Sequence, residues 1–198
     1  MTEGPSTMPE LSRRHVLAAA GGGLALAVVP TAGRAAAATP MRDLDPVRTE
    51  LVMNLVVTCS APEPMGPSPE SKDGRRGEIW PIVGGRFEGP NIRGTVVPGG
   101  GDFPVTRPDG VEVIDALYRL KTDDGVTILI HNRGLMYPGR NGEWPKFRLV
   151  PEFTAPVGRY DWLNKAIFLS TLVETPKEMA LAKSSAENDR LIQVHRVF

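Results

Sequence analysis

The chain has 198 residues with 23 Lys+Arg and 23 Asp+Glu, and once residues 1–38 are set aside the balance is 20 basic to 21 acidic. A near-neutral body excludes a nucleic-acid surface, which needs excess positive charge to displace counterions from phosphates. The length suits one domain, the 21 Gly and 19 Pro dispersed between apolar runs argue for short strands and turns over a helix bundle, and the single cysteine, Cys59, excludes an internal disulfide.

The first element is an export signal. Arg13-Arg14 stand directly before the small, apolar stretch from Leu17 to Val29, and Ala35 to Ala38 supply the small residues a signal peptidase accepts. Residues 1–38 are therefore expected to be a twin-arginine signal peptide and 39–49 a linker, with residues 50–198 forming a domain that works in the periplasm or medium. The apolar stretch is too short to span a bilayer stably, so no membrane insertion is expected.

Apolar alternation and turn punctuation predict strands over 50–60, 78–83, 91–97, 111–122, 126–133, 146–154, 166–174 and 191–198. Residues 177–186 have helix-forming composition and predict a short helical insertion. The order and count point to an all-β fold, an antiparallel closed barrel of about eight strands, with a β-sandwich as the competing arrangement.

Asp123-Asp124-Gly125 fixes a register. A three-residue loop with Gly in the left-handed position pairs Thr122 with Val126. Ile114, Ala116, Tyr118 and Leu120 then share one face with Ile128, Ile130 and Asn132. A two-residue turn would slip the register and mix charges into that row. Tyr118 and Asn132 are thus expected inside, with His131 outside and Asp115 paired with Arg133 as a surface ion pair. Up-and-down order would gather the connections 61–77, 98–110, 134–145 and 175–190 at one mouth, which is how ligand sites are commonly built on rigid barrels.

The sharpest local feature is Pro98-Gly99-Gly100-Gly101-Asp102-Phe103, continuing to Arg107 and Asp109. Glycines let the backbone approach a ligand closely, and Asp102 at the mouth is suited to acid or base work. The alternative is a glycine-rich turn whose aspartate caps backbone amides. Asp102 and Tyr118 are the candidate catalytic pair, with Glu78, Phe103, Arg107, Asp109 and Asn132 as candidate ligand contacts. An apolar enclosure would raise a carboxyl pKa and poise it for proton transfer.

No metal site is expected, because His131 and His195 lack ligand spacing; no organic cofactor is expected either. Cys59 has no Cys-His motif and reads as a buried thiol. Gly84-Gly85 and Gly89-Pro90 read as turns. Tyr160 to Asn164, at the opposite end from the long connections, are expected to cap the barrel.

The same residues carry a resemblance. Gly84-Gly85-Arg86-Phe87-Glu88-Gly89-Pro90, Gly94, Pro98 to Asp102, Asp109-Gly110, Asp115-Ala116, Tyr118, Thr122 to Gly125, Asn132-Arg133-Gly134 and Tyr160 to Asn164 form an ordered series. In it the chain resembles the domain of unknown function 3237 family, also described as the UPF0311 proteins, over most of 51–198. The resemblance implies a closed barrel akin to the allene oxide cyclase and dirigent barrels, with a lumen for small, largely apolar molecules. It also implies cyclisation or isomerisation of natural products by acid and base groups, as associated with a few relatives. Leu117 departs from the basic residue expected there, and the export signal and the 175–190 insertion are further departures.

Two main readings follow. One is an exported isomerase, cyclase or hydro-lyase working by proton transfer on a small apolar or aromatic compound, with Asp102 as acid or base. The other is a non-enzymatic carrier of a small hydrophobic ligand, which needs a cavity and no proton donor. A structural module using the sheet exterior is a third, and the Leu117 and Leu129 row is a candidate contact for homo-oligomers.

Overall fold

The computed structural model describes residues 43–66 and 76–198. The expected export signal, and residues 39–42 of the expected linker, lie outside the described residues. Ten strands follow in order: β1 (Thr49–Ser60), β2 (Glu63–Gly66), β3 (Arg76–Gly89), β4 (Ile92–Asp102), β5 (Val105–Thr106), β6 (Glu112–Thr122), β7 (Thr127–Tyr137), β8 (Lys146–Thr154), β9 (Phe168–Val173) and β10 (Glu187–Val197).

Hydrogen-bonded neighbours run β1, β10, β9, β8, β7, β6, β4, β3, and β3 pairs back to β1. Eight antiparallel strands therefore close into the expected barrel, which leaves no free edge among them. The short β2 extends the sheet along β3, and β5 replaces β4 between β3 and β6 beyond Asp102.

The β6–β7 hairpin has the predicted register: Leu120 faces Ile128, Tyr118 faces Ile130 and Ala116 faces Asn132. Gly125 adopts φ 89°, and its amide donates to the Thr122 carbonyl at 2.9 Å, the left-handed turn geometry that favours glycine. The alternation of β6 is complete, with Ile114, Ala116, Tyr118, Leu120 and Thr122 buried and the residues between them exposed. Asp115 does not pair with Arg133, however. Its carboxylate meets His131 Nε2 at 2.5 Å, while Arg133 meets Glu152 of β8 at 2.9 Å; both are diagonal contacts, which lie within reach of long side chains.

Three further expectations are corrected. The glycine triad is not a loop: β4 runs on through Asp102, with a bulge between Val97 and Gly100 that absorbs the extra residues. Gly84-Gly85 is likewise inside β3, where a Cβ on Gly85 would lie 2.2 Å from the Val56 carbonyl oxygen, so the glycine permits close packing of β1 on β3. Residues 177–186 form only a 3-10 turn at Lys177–Met179. The amides of Leu181 and Ala182 donate to the Asp189 carboxylate at 2.5 and 2.8 Å instead of continuing a helix.

The short-loop end is sealed. Tyr160 and Leu163 are buried, Trp162 packs edge-on against Phe168 at 6.0 Å, and the Tyr160 hydroxyl donates to Asp124 at 2.8 Å. These residues cap the barrel as expected. Above them Leu55, Phe87, Leu120, Ile128, Ile130 and Val194 fill the interior, so the lumen is a packed core through most of its length.

A candidate proton-transfer site at the open mouth

Near the mouth a cavity of about 30 Å³ is lined by aliphatic side chains together with Cys59, Asp102, Tyr118, Asn132, Phe147 and Arg190. That is enough for about two waters or the head of a small molecule, and far below the several hundred Å³ that engulf a drug-sized ligand. The expectation of a hollow lumen is corrected to this extent. A longer side chain at Ala116 would close it: Asp102, Ala116 and Asn132 stand in one row across β4, β6 and β7, with the smallest of them in the middle.

Each polar group arrives by strand register. Asp102 ends β4 on the inner face, and its Oδ1 accepts the Asp115 amide at 3.2 Å. Burial dominates its electrostatics and holds the carboxyl up at about 6, against 3.8 ordinarily, with the Asp115 amide and the Arg190 charge pulling the other way. A group so poised is partly protonated near neutrality and can serve as either acid or base.

Tyr118 is 2% exposed, and its hydroxyl has no hydrogen-bond partner among the described residues. Burial pushes the phenol well above its ordinary value, reinforced by Cys59 and Asp102 and opposed by the nearby Asn132 amide, so it stays protonated and remains a donor. Asn132 is 1% exposed and accepts from the Ser170 hydroxyl of β9 at 3.3 Å, which anchors its amide. The Cys59 thiol is raised chiefly by burial and is a neutral wall group, not a nucleophile.

Sequence reasoning placed Arg190 in a surface loop. It lies instead on β10 opposite Val57, and its guanidinium stacks on the Trp80 ring at 4.3 Å. Only the β1–β10 register, set by a bulge between Leu51 and Met53, turns it inward, and no local motif announces that.

The remaining candidates lie apart from the cavity. Glu78 accepts the Trp80 indole N–H at 2.7 Å and so supports the mouth from outside the cavity lining. Phe103 is exposed, while Arg107 pairs with Asp109 in the loop before β6. No group of three or more His, Cys, Asp or Glu among the described residues is arranged to hold a metal. Leu117 and Leu129 are both exposed on the barrel exterior.

Residues 47–185 match the family model described as "Protein of unknown function (DUF3237)". A UPF0311 protein of Clostridium acetobutylicum is 31% identical over 144 residues, which are 67% of this chain and 89% of the relative. A crystal structure of a protein of unknown function from Clostridium acetobutylicum superposes with a TM-score of 0.65 at 26% identity, covering 79% of this chain and 100% of that one. The crystal structure of an enzyme from Penicillium herquei shares the fold, with a TM-score of 0.54 at 20% identity and coverage of 79% and 99%.

Proposed function

Since this chain belongs to the DUF3237 (UPF0311) family, we propose that it is a small-molecule barrel enzyme that moves a proton on a carbon acid or a leaving oxygen at the Asp102 mouth. Isomerisation, cyclisation and elimination of water all need such a step. Asp102 takes up or delivers the proton, the Tyr118 hydroxyl donates to the oxygen on which negative charge develops, and Asn132 orients the substrate beside them.

One observation carries this reading. A raised carboxyl and a phenol with no hydrogen-bond partner share one small cavity, although a buried polar group without a partner costs about 1–3 kcal/mol. Such groups are kept where a ligand completes them. A carrier of apolar ligands has less support, since it needs volume and no carboxyl in the cavity wall, whereas the interior is packed and Asp102 lines the space that remains. The Penicillium herquei enzyme supports the reading only in that the same barrel shape accommodates catalysis there.

The test is deuterium incorporation from D2O into a panel of enolisable compounds, including 2-oxo acids, 1,3-diketones and hydroxyaryl ketones, followed by NMR. Wild-type protein should accelerate exchange in at least one of them, with a loss of about 100-fold or more in a folded Asp102→Asn variant. Equal exchange in the two proteins, or none across the panel, rejects the reading.

Export through the twin-arginine route is the second part of the proposal. It is supported by Arg13-Arg14 ahead of a Gly- and Ala-rich stretch, and by a cysteine content that fits a domain folded before translocation.

A further inference from the structure

Arg190 has features that proton transfer at Asp102 does not use. A guanidinium facing a barrel interior is costly unless something neutralises it, and among the described residues no carboxylate lies within 4.0 Å of it. Its neighbour Asp189 points to the exterior, where it accepts from Thr58 Oγ1 at 2.6 Å and from the Leu181 and Ala182 amides. Of the mouth carboxylates, Glu78 accepts from the Trp80 indole, Glu112 lies 3.5 Å from the Thr106 hydroxyl, and Asp102, which feels the Arg190 charge across the cavity, accepts the Asp115 amide.

The guanidinium is nevertheless held in place. One face rests on Trp80, whose indole is fixed by Glu78, and the Nη1 atom is buried with no hydrogen-bond partner. A stacked guanidinium with one nitrogen lacking a partner is suited to hold an anionic oxygen by a charge-assisted hydrogen bond. The Tyr118 hydroxyl, the other unpartnered donor of the cavity, is aimed into the same space.

We propose that Arg190 docks the negatively charged group of the substrate, and that the molecule handled at this mouth is a small organic carboxylate. The inference rests on the proton-transfer reading for what happens next, but docking itself needs only Arg190 and Trp80. The cavity of about 30 Å³ admits the acid's head group and leaves its remainder among the mouth side chains. Arg190 is thus a binding residue that sets the charge class of the substrate, and Asp102 acts on the docked acid.

Formate and its neutral counterpart formamide fit the cavity and separate charge from size. Calorimetric titration of the folded protein at constant ionic strength should show saturable formate binding, about tenfold or more tighter than formamide. Arg190→Gln should reduce formate to the formamide level, and Arg190→Lys, which keeps the charge but loses the fork, should fall between them.

Equal binding of formate and formamide by the wild-type protein overturns the proposal, as does formate affinity unchanged in Arg190→Gln. If that variant fails to fold, the wild-type ratio and Arg190→Lys decide the matter. Formate docking without deuterium exchange in any panel compound would uphold the anion site and remove the proton-transfer reading, so the two fail separately.

Discussion

The backbone amide of Asp115 donates to Asp102 Oδ1 at 3.2 Å while the Asp115 side chain points out of the barrel to His131. One residue of β6 thus supports the half-buried Asp102 carboxyl through its main chain and closes a surface pair through its side chain. The support is partial, because desolvation still outweighs it and the Asp102 carboxyl stays near 6.

A pH dependence of stability follows from that balance. The folded chain favours protonated Asp102, so this contribution is fully present below 3.8 and is lost as the pH rises through about 6. The loss should approach roughly 3 kcal/mol. Asp102→Asn has no such titration, so urea unfolding should show the variant gaining on the wild type as the pH rises across that interval. A constant difference between the two proteins would contradict the assignment.

Tyr118→Phe separates stability from activity. Removing a buried hydroxyl that has no partner should leave the folding free energy unchanged or raise it by about 1 kcal/mol, measured by denaturant unfolding. Deuterium exchange should nonetheless fall by about 10-fold or more, because the donor to the developing oxyanion is gone. A purely structural tyrosine would show neither pattern.

Gly100 allows β4 to pass close to β6. Its φ is 89°, and a Cβ there would lie 2.4 Å from the Leu117 carbonyl oxygen. Gly100→Ala should therefore cost about 2 kcal/mol or more, read as a lower denaturation midpoint, and should disturb the Asp102 end of the strand. The neighbouring Gly99 meets only the end of the Arg119 side chain at 3.4 Å, although its φ of 93° also strains a substitution, so Gly99→Ala should be the milder change.

Much of this architecture was legible because local signals agreed. The Asp123-Asp124-Gly125 loop and the two-residue alternation of β6 and β7 specify one register, and that register alone puts Tyr118 and Asn132 inside. Pro98 to Gly101 predict a loop, because glycine density marks turns more often than bulged strands, and the pairing with β3 and β6 shows otherwise. Residues 177–186 have helical composition, yet Asp189 captures two of the amides, and nothing in the segment itself encodes that contact. Arg190 was missed for a related reason. Its inward aim comes from β1 pairing across more than a hundred residues of intervening chain.

For the export proposal, replacing Arg13-Arg14 with two lysines keeps the charge and removes the guanidinium pair. Processing and appearance of the protein outside the cytoplasm, followed by fractionation and immunoblotting, should be lost in that variant. Undiminished export would assign the segment to another route.

The pH–rate profile of deuterium exchange reaches the central claim most directly. With Asp102 acting as the base, the rate on a responsive compound should rise with pH through an apparent pKa near 6, and that limb should be absent in Asp102→Asn. A profile that keeps the same limb and amplitude in the variant would show that the proton moves elsewhere.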